Sequence, residues 1–296
     1  MRICGKDIKV QGQLIRIARL GGEWYDFLEE PEVALDTLRK SGNRIDLFTF
    51  TQRLPDTKPK YRYPMEWDNL AVLPVSTFEH WWAKQINDKT RNMARRPEKK
   101  GVKIREVHFD DALVQGISTI YNETPIRQGK PFWHYRKDLE TVCRENGTFP
   151  DRSIFIGAFF EEQLIGFAKL TTDEFRGQAG LMQILSMIKH RDKAPTNALI
   201  AQAVRSCADR GVPFLVYAQF SYGNKEWDGL AEFKHNNGFR RVDLPRYYVP
   251  MSAFGSIALH LGLHRGLESY VPGTVRAKYR YLRNIWYKYK FAQMPS

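Results

Sequence analysis

The residue types best suited to chemistry fall in three runs. The first is Arg191-Asp192-Lys193-Ala194-Pro195-Thr196-Asn197-Ala198-Leu199, which follows a strand pattern and opens a helical one. A helix start exposes unpaired N–H groups and the positive end of the backbone dipole, so an anion can be held by backbone and reinforced by Arg191 and Lys193. Pro195 has no N–H to give, and Ala194 and Thr196 leave less room for close approach than glycines would. An ordinary proline-started helix with Thr196 near its cap explains the same run without a ligand. The second run is Gly229-Leu230-Ala231-Glu232-Phe233-Lys234-His235-Asn236-Asn237-Gly238-Phe239. An ammonium at Lys234 would stabilise developing negative charge, although an unperturbed lysine, with a pKa of ~10.4, is a poor acid. A solvent-facing helix lysine is the plain alternative. The third run, residues 124–135, carries Arg127, Trp133, His134 and Tyr135. Aromatic walls with a cation and an imidazole suit the orientation of an anionic acceptor and the uptake of a proton, and equally suit a surface loop closed by aromatic packing.

A general base is not legible. The strand pattern at 180–188 carries Gln183 and Ser186 but no carboxylate, leaving Asp173, Glu174, His134 and His190 as candidates. An amine acceptor that is already neutral needs little base. No Ser-His-Asp or Cys-His arrangement stands out, because Cys143 and Cys207 both lie on helical patterns. The cysteines, Cys4, Cys143 and Cys207, are odd in number and lack metal-ligand spacing, so reduced thiols and no metal site are expected.

These runs sit within a regular succession of elements. Residues 102–109 read as a strand, 112–121 and 137–145 as helices, and 153–160, 164–170 and 180–188 as strands. A helix at 198–210 stops at Gly211, and strand 214–220 (with Tyr217), helix 229–237 and strand 240–249 complete the unit. Ahead of it, residues 1–75 read as a small α/β subdomain, with strands at 8–10, 13–18, 44–50 and 70–74 and a helix at 30–38. Residues 76–101 read as a basic linker helix opened by the capping box Ser76-Thr77-Phe78-Glu79, with Pro97 expected to kink or end it. The tail 252–296 is helical in pattern, breaks at Pro272-Gly273, and then alternates cations with aromatics from Arg276 to Phe291. That alternation suits RNA, an anionic membrane surface, or packing on the chain's own domain.

Composition narrows the class. With 296 residues, 43% of them hydrophobic, the chain can bury at least one full core, which excludes a disordered or fibrous protein. The start is polar and no apolar stretch nears the ~20 residues that span a bilayer, so the chain reads as soluble, unexported and cytoplasmic, or peripheral at a membrane through its tail. A formal charge of +13 favours anionic partners without choosing among nucleic acid, phosphorylated cofactor and acidic lipid.

The order strand, two helices, three strands, helix, strand, helix, strand over 102–251 resembles the GNAT acyltransferase topology. The implied fold class is α/β (α+β), with a mixed, mostly antiparallel sheet flanked by helices. The run at 191–199 is similar to the GNAT loop that binds a pyrophosphate, which implies an acyl-coenzyme A donor such as acetyl-CoA and a cofactor site at Ile188, His190, Arg191, Lys193, Ala194, Thr196 and Asn197. The Phe233-Lys234 pair ahead of Gly238, the closing strand Arg246-Tyr247-Tyr248-Val249-Pro250-Met251, and the basic bridge from Arg91 to Val102 are similar to the Fem-type (FemAB-like) branch. That branch implies aminoacyl-tRNA as the alternative donor and phosphate near Lys234. The resemblance as a whole implies N-acyl transfer by direct attack of an amine, where strands 180–188 and 214–220 splay apart and backbone N–H groups bind the carbonyl oxygen. It places Lys234, His134, Gln183 and Ser186 at the reaction and Arg127, Trp133, Tyr135 and Tyr217 around the acceptor, a small-molecule or cell-envelope-precursor amine. Superfamily base rates favour acyl-coenzyme A slightly; Lys234, Pro195 and the basic bridge favour aminoacyl-tRNA. A scaffold of this type that has lost its cofactor loop and docks RNA or membrane is the non-catalytic alternative. Oligomeric state is not legible.

Overall fold

In the computed structural model, residues 1–22, 24–222 and 227–266 are described. The basic aromatic run beyond Pro272-Gly273 lies outside them. The amino-terminal part contributes β1 (Arg2–Ile3), β2 (Lys6–Gln11), β3 (Ile17–Leu20), α1 (Pro31–Lys40), β4 (Leu47–Thr51) and β5 (Met65–Pro74). Pro31 starts α1, where a missing N–H costs nothing. Ala34, Leu35 and Leu38 recur at helical spacing, and this face packs with Phe48, Phe50 and Tyr247 in one apolar cluster.

The expected single linker helix is broken. A short α2 (Phe78–His80) passes into a π turn, Trp81–Gln85, stops at Ile86 and Asn87, and resumes as α3 (Asp88–Lys99). Thr77, rather than Ser76, caps the first segment by accepting the His80 N–H at 3.1 Å. Asn87 caps the second by accepting from Thr90 at 2.9 Å, so a new helix starts there. Pro97 does not end α3. It lies in the last turn, and its carbonyl accepts the N–H groups of Lys100 and Val102, which closes the helix at Gly101 instead.

The remainder follows the expected order: β6 (Lys103–Val107), α4 (Asp111–Tyr121), a small hairpin of β7 (Ile126–Arg127) and β8 (Lys130–Pro131), α5 (Leu139–Asn146), β9 (Ser153–Phe160), β10 (Gln163–Thr172), β11 (Ala179–Ser186), α6 (Pro195–Asp209), β12 (Phe214–Gln219), α7 (Gly229–Asn236), β13 (Arg240–Pro250) and α8 (Ala253–His260). The β9–β10 turn uses Glu161 and Glu162 at φ 49° and 62°, the mirror-image turn whose twist suits a hairpin. Helix α6 begins three residues earlier than its apolar pattern, because Pro195 forms its first turn.

Among the described residues, all strands but the β7–β8 hairpin join one sheet, in the order β1-β2-β3-β4-β13-β5-β12-β11-β10-β9-β6. The consequential strand is β5. It comes from the amino-terminal part yet inserts between β12 and β13, pairing antiparallel with both. Leu70 and Val72 on β5, Val216 on β12 and Leu244 on β13 bury one face of this junction, so the amino-terminal strands share a continuous sheet with residues 102–251.

Candidate functional site

The sheet opens between β11 and β12. These strands are parallel, and the described ladder joins them only at Ala179/Leu215 and Gly180/Val216. Beyond that point β11 remains paired with β10, and β12 with β5. The β12 register slips between Val216 and Gln219, where Ala218 takes φ 48°, a left-handed conformation that side-chain-bearing residues adopt with strain. The splay implied by the resemblance is therefore present, and a bulge on β12 forms one side of it.

Lys234 lies against that bulge. Helix α7 is capped by Asp228, whose carboxylate accepts from Leu230 and Ala231, and its far end is fixed by the Trp81 indole, which donates to the Asn237 carbonyl at 3.0 Å. Gly238 then turns at φ 88°, where a Cβ would come within 3.1 Å of Leu73 and 3.3 Å of Trp81. Held this way, α7 directs Lys234 inward. The residue is 0% exposed, which overturns the solvent-facing alternative. Its Nζ donates to the Gln219 carbonyl at 2.5 Å and stands 4.6 Å and 4.9 Å from the ring centres of Tyr217 and Tyr222. Burial lowers its pKa to about 8, with Asp228 opposing. Burial also raises the Tyr217 phenol well above its ordinary value.

A second polar group forms on the β11 side. The Tyr121 hydroxyl donates to Gln183 at 2.7 Å and receives the Asn146 amide at 3.4 Å. The His134 ring stacks on Tyr121 at 4.1 Å between centroids and meets Trp133 at 3.9 Å. Burial, with Lys137 nearby, lowers the His134 pKa to about 4, so at neutral pH this imidazole is uncharged. Ser186 and Thr196 share a hydrogen bond of 3.0 Å, which links the end of β11 to the start of α6. Arg127 points inward rather than to an open acceptor pocket: it donates to the Ser186 carbonyl at 2.9 Å and to Glu123 at 2.9 Å. Trp133 remains exposed.

The loop from Ile188 to Ala194 holds an internal anion. Glu123 accepts the backbone N–H of Ile188 at 2.7 Å through one oxygen and that of Lys189 at 2.9 Å through the other. Ala194 turns at φ 54° into Pro195, no side chain caps α6, and the Asn197 N–H turns back to the Ala194 carbonyl. Lys193 lies 4.6 Å over the Phe160 ring, while Arg191 is exposed. His190 packs against the same Phe160 at 5.6 Å, and among the described residues neither ring nitrogen has a hydrogen-bond partner.

The structure thus brings Gln183, His134, Tyr121 and Arg127 to one side of the splay and Lys234 and Tyr217 to the other, with Arg191 and Tyr135 outside this cluster. Several residues that complete the arrangement were not singled out from sequence. Tyr121 ends a helical pattern and reads as core. Glu123 follows it in what reads as a loop, and only its partners give it meaning. Lys169 occupies the middle of β10, 3% exposed, donating to the carbonyls of Asn146 and Thr148 and to the Thr148 hydroxyl at 2.7–2.8 Å; burial lowers its pKa to about 8. A lone cation inside a strand pattern was the available signal. Cys207 is buried, its thiol pushed up to about 12 by burial, while Cys4 and Cys143 are exposed. Asp173 is buried and ion-paired to Arg53 at 2.9 Å, and Glu174 pairs with Lys6, so both lie in contacts with the amino-terminal part. Among the described residues, no group of three or more His, Cys, Asp or Glu is placed to hold a metal ion, and no helix is long and apolar enough to cross a membrane.

No protein-family model matches the sequence, and no curated protein matches it. Solved structures do match. The C-terminal domain of a lysylphosphatidylglycerol synthetase from Agrobacterium fabrum superposes with a TM-score of 0.55 at 15% identity, over 86% of this chain and 83% of that one. L-PGS from Bacillus licheniformis gives 0.56 at 12% identity over 86% and 83% of the two chains. FemX gives 0.54 at 8% identity over 81% and 83%. Identities this low establish architecture alone. With its strand order, the opening between β11 and β12, and these superpositions over most of its length, the chain has the GNAT fold, in the extended form that it shares with FemX and the lysylphosphatidylglycerol synthetase domains.

Proposed function

We propose that the protein is an aminoacyl or acyl transferase in which an amine attacks an activated carbonyl at the splay between β11 and β12. The observation that carries this reading is the Lys234 ammonium, buried beside the opening and, among the described residues, donating to one carbonyl with no carboxylate in salt-bridge range. A desolvated cation is costly to maintain, and its use is to stabilise negative charge that develops on the carbonyl oxygen, the leaving group or a phosphate. Gln183, tied to Tyr121, provides a polar group on the β11 side of the opening.

For the donor, an aminoacyl ester of tRNA fits these residues better than an acyl-coenzyme A. The Ile188 and Lys189 amides are already taken by a carboxylate, Pro195 offers no N–H, and Lys193 is drawn onto Phe160. A pyrophosphate at this loop would meet the negative charge of Glu123 and few backbone donors. An ester donor whose phosphates bind elsewhere avoids both. The resemblance of Phe233-Lys234 ahead of Gly238, the closing tyrosine strand and the basic bridge to the Fem-type branch supports the same donor, and the acceptor proposed with it is a cell-envelope precursor amine.

The test pairs donor binding with turnover. Acetyl-CoA and aminoacylated tRNA are titrated separately by calorimetry, and label transfer from each to a panel of primary amines is followed. Transfer from aminoacyl-tRNA with no heat from acetyl-CoA is the expected result. Near-stoichiometric acetyl-CoA binding with acetyl transfer would return the donor to the thioester class, and binding of RNA without transfer from any donor would make the protein a docking module.

A further inference from the structure

The lysine centre is built on a segment that β12 alone would not hold. Between Val216 and Gln219 the strand bulges, and Ala218 is held at φ 48°. An alanine in this region is strained unless its surroundings over-determine it. What surrounds it is β5. Asp68 gives one carboxylate oxygen to Arg246 of β13, at 3.0 Å and 2.8 Å, and the other to the Gln219 side-chain amide at 3.0 Å. The next residue, Asn69, accepts the Phe220 N–H on its carbonyl at 3.2 Å and the Ser221 N–H on its side chain at 2.8 Å. Two neighbouring residues of β5 thereby hold the segment just after the bulge, Asp68 through the Gln219 side chain and Asn69 through the Phe220 and Ser221 main chain. The carbonyl aimed by that bulge is Gln219's, the acceptor of Lys234 Nζ.

We propose that β5, although it comes from the amino-terminal part of the chain, supplies the positioning residues of the lysine centre. Asp68 and Asn69 lock the bulge at Ala218 in the conformation that turns the Gln219 carbonyl onto Lys234. The inference rests on the reading of Lys234 given above for its link to turnover, but not for its geometry. It also assigns a use to the insertion of β5 between β12 and β13, since neither of those strands carries the Asp68-Asn69 pair. Among the described residues, the titratable groups facing the ammonium are Tyr217 on β12, Tyr222 beyond it and Asp228 at the head of α7. Asp68 and Arg246 stand one residue further away, behind Gln219. Releasing the bulge should therefore act on Lys234 through its lost acceptor, by leaving a buried ammonium unsatisfied.

The experiment follows the ε-carbon resonances of isotope-labelled lysine in the full chain across pH, with Lys234 and Lys169 assigned from their Lys→Met variants. Gln219→Met removes the side-chain tie to Asp68 while keeping the main-chain carbonyl, and Asn69→Ala removes the tie to Ser221. In either variant, once circular dichroism confirms folding, the Lys234 midpoint should fall by about one pH unit. Lys169, whose acceptors are untouched, should keep its own. Ala218→Gly offers a third variant: glycine adopts the positive φ without strain, so the bulge and with it the Lys234 midpoint should be retained. An unchanged Lys234 midpoint in Gln219→Met and Asn69→Ala overturns the proposal, whatever the donor proves to be. A shifted midpoint together with wild-type turnover in Lys234→Met upholds the positioning and removes the catalytic reading instead.

Discussion

Lys234→Met should stabilise the protein while disabling it. Folding lowers the pKa of this lysine from 10.5 to about 8, chiefly by burial. At ~1.4 kcal/mol per pH unit, keeping the ammonium inside costs on the order of 3 kcal/mol. Methionine has similar length, sits well in a helix and removes that cost. It also leaves the Gln219 carbonyl without its donor, a loss of ~1 kcal/mol, so the net gain at neutral pH is ~2 kcal/mol, or ~4 °C in melting temperature for a chain of this size. The sign can be checked with pH. Between about 8 and 10.5 the unfolded chain holds the lysine proton and the folded chain does not, so wild-type stability rises with pH through that window. The advantage of methionine is complete below the lower value and disappears as pH approaches the upper one. Turnover should fall by about a hundredfold or more with little change in donor affinity, as for loss of a preorganised charge acting in the transition state. The assays are thermal denaturation followed by circular dichroism across that pH range, and turnover with aminoacyl-tRNA at pH 7. A variant less stable than wild type at pH 7 would refute the burial argument; unchanged turnover would refute the functional one.

Glu123→Ala should free the amides of Ile188 and Lys189 and remove a negative charge from the loop, so acetyl-CoA affinity measured by calorimetry should rise at least about tenfold. No rise would mean that the carboxylate is not what excludes the pyrophosphate. His134→Phe should preserve the stack on Tyr121 and leave turnover within a few-fold, because an imidazole with a pKa of about 4 is already neutral at physiological pH; loss of an ionisation near pH 6 to 7 from the rate profile of this variant would contradict that. Arg191→Ala combined with Lys193→Ala should leave the melting temperature nearly unchanged, since Arg191 is exposed and Lys193, among the described residues, makes a stacking contact and a peripheral pair with Asp192, and should weaken donor binding only if the donor's phosphates visit this loop. Donor titration of the double variant decides that point.

Element type and order over 102–251 were legible in the sequence because they are local. The short apolar runs of 153–160 and 164–170 with a polar turn between them, the apolar spacing of α6 and the stop at Gly211 depend on residues a few positions apart, and the local pattern reports them directly. Lys234 was legible as a candidate, through its place before Gly238. Whether it faced solvent was not, because the hydrophobicity of α7 does not name its buried side; that was settled by β12, and by Trp81 reaching Asn237 across more than a hundred and fifty residues. Glu123 gave no signal, since a glutamate after a helix is ordinary until two backbone amides are folded onto it. Strand β5 is the clearest division between the two levels. Its residues announced a strand, but a strand's own pattern carries no information about which partners pair with its two edges. Only the tertiary structure placed it between β12 and β13, and with it Asp68 and Asn69 beside the bulge that holds the lysine.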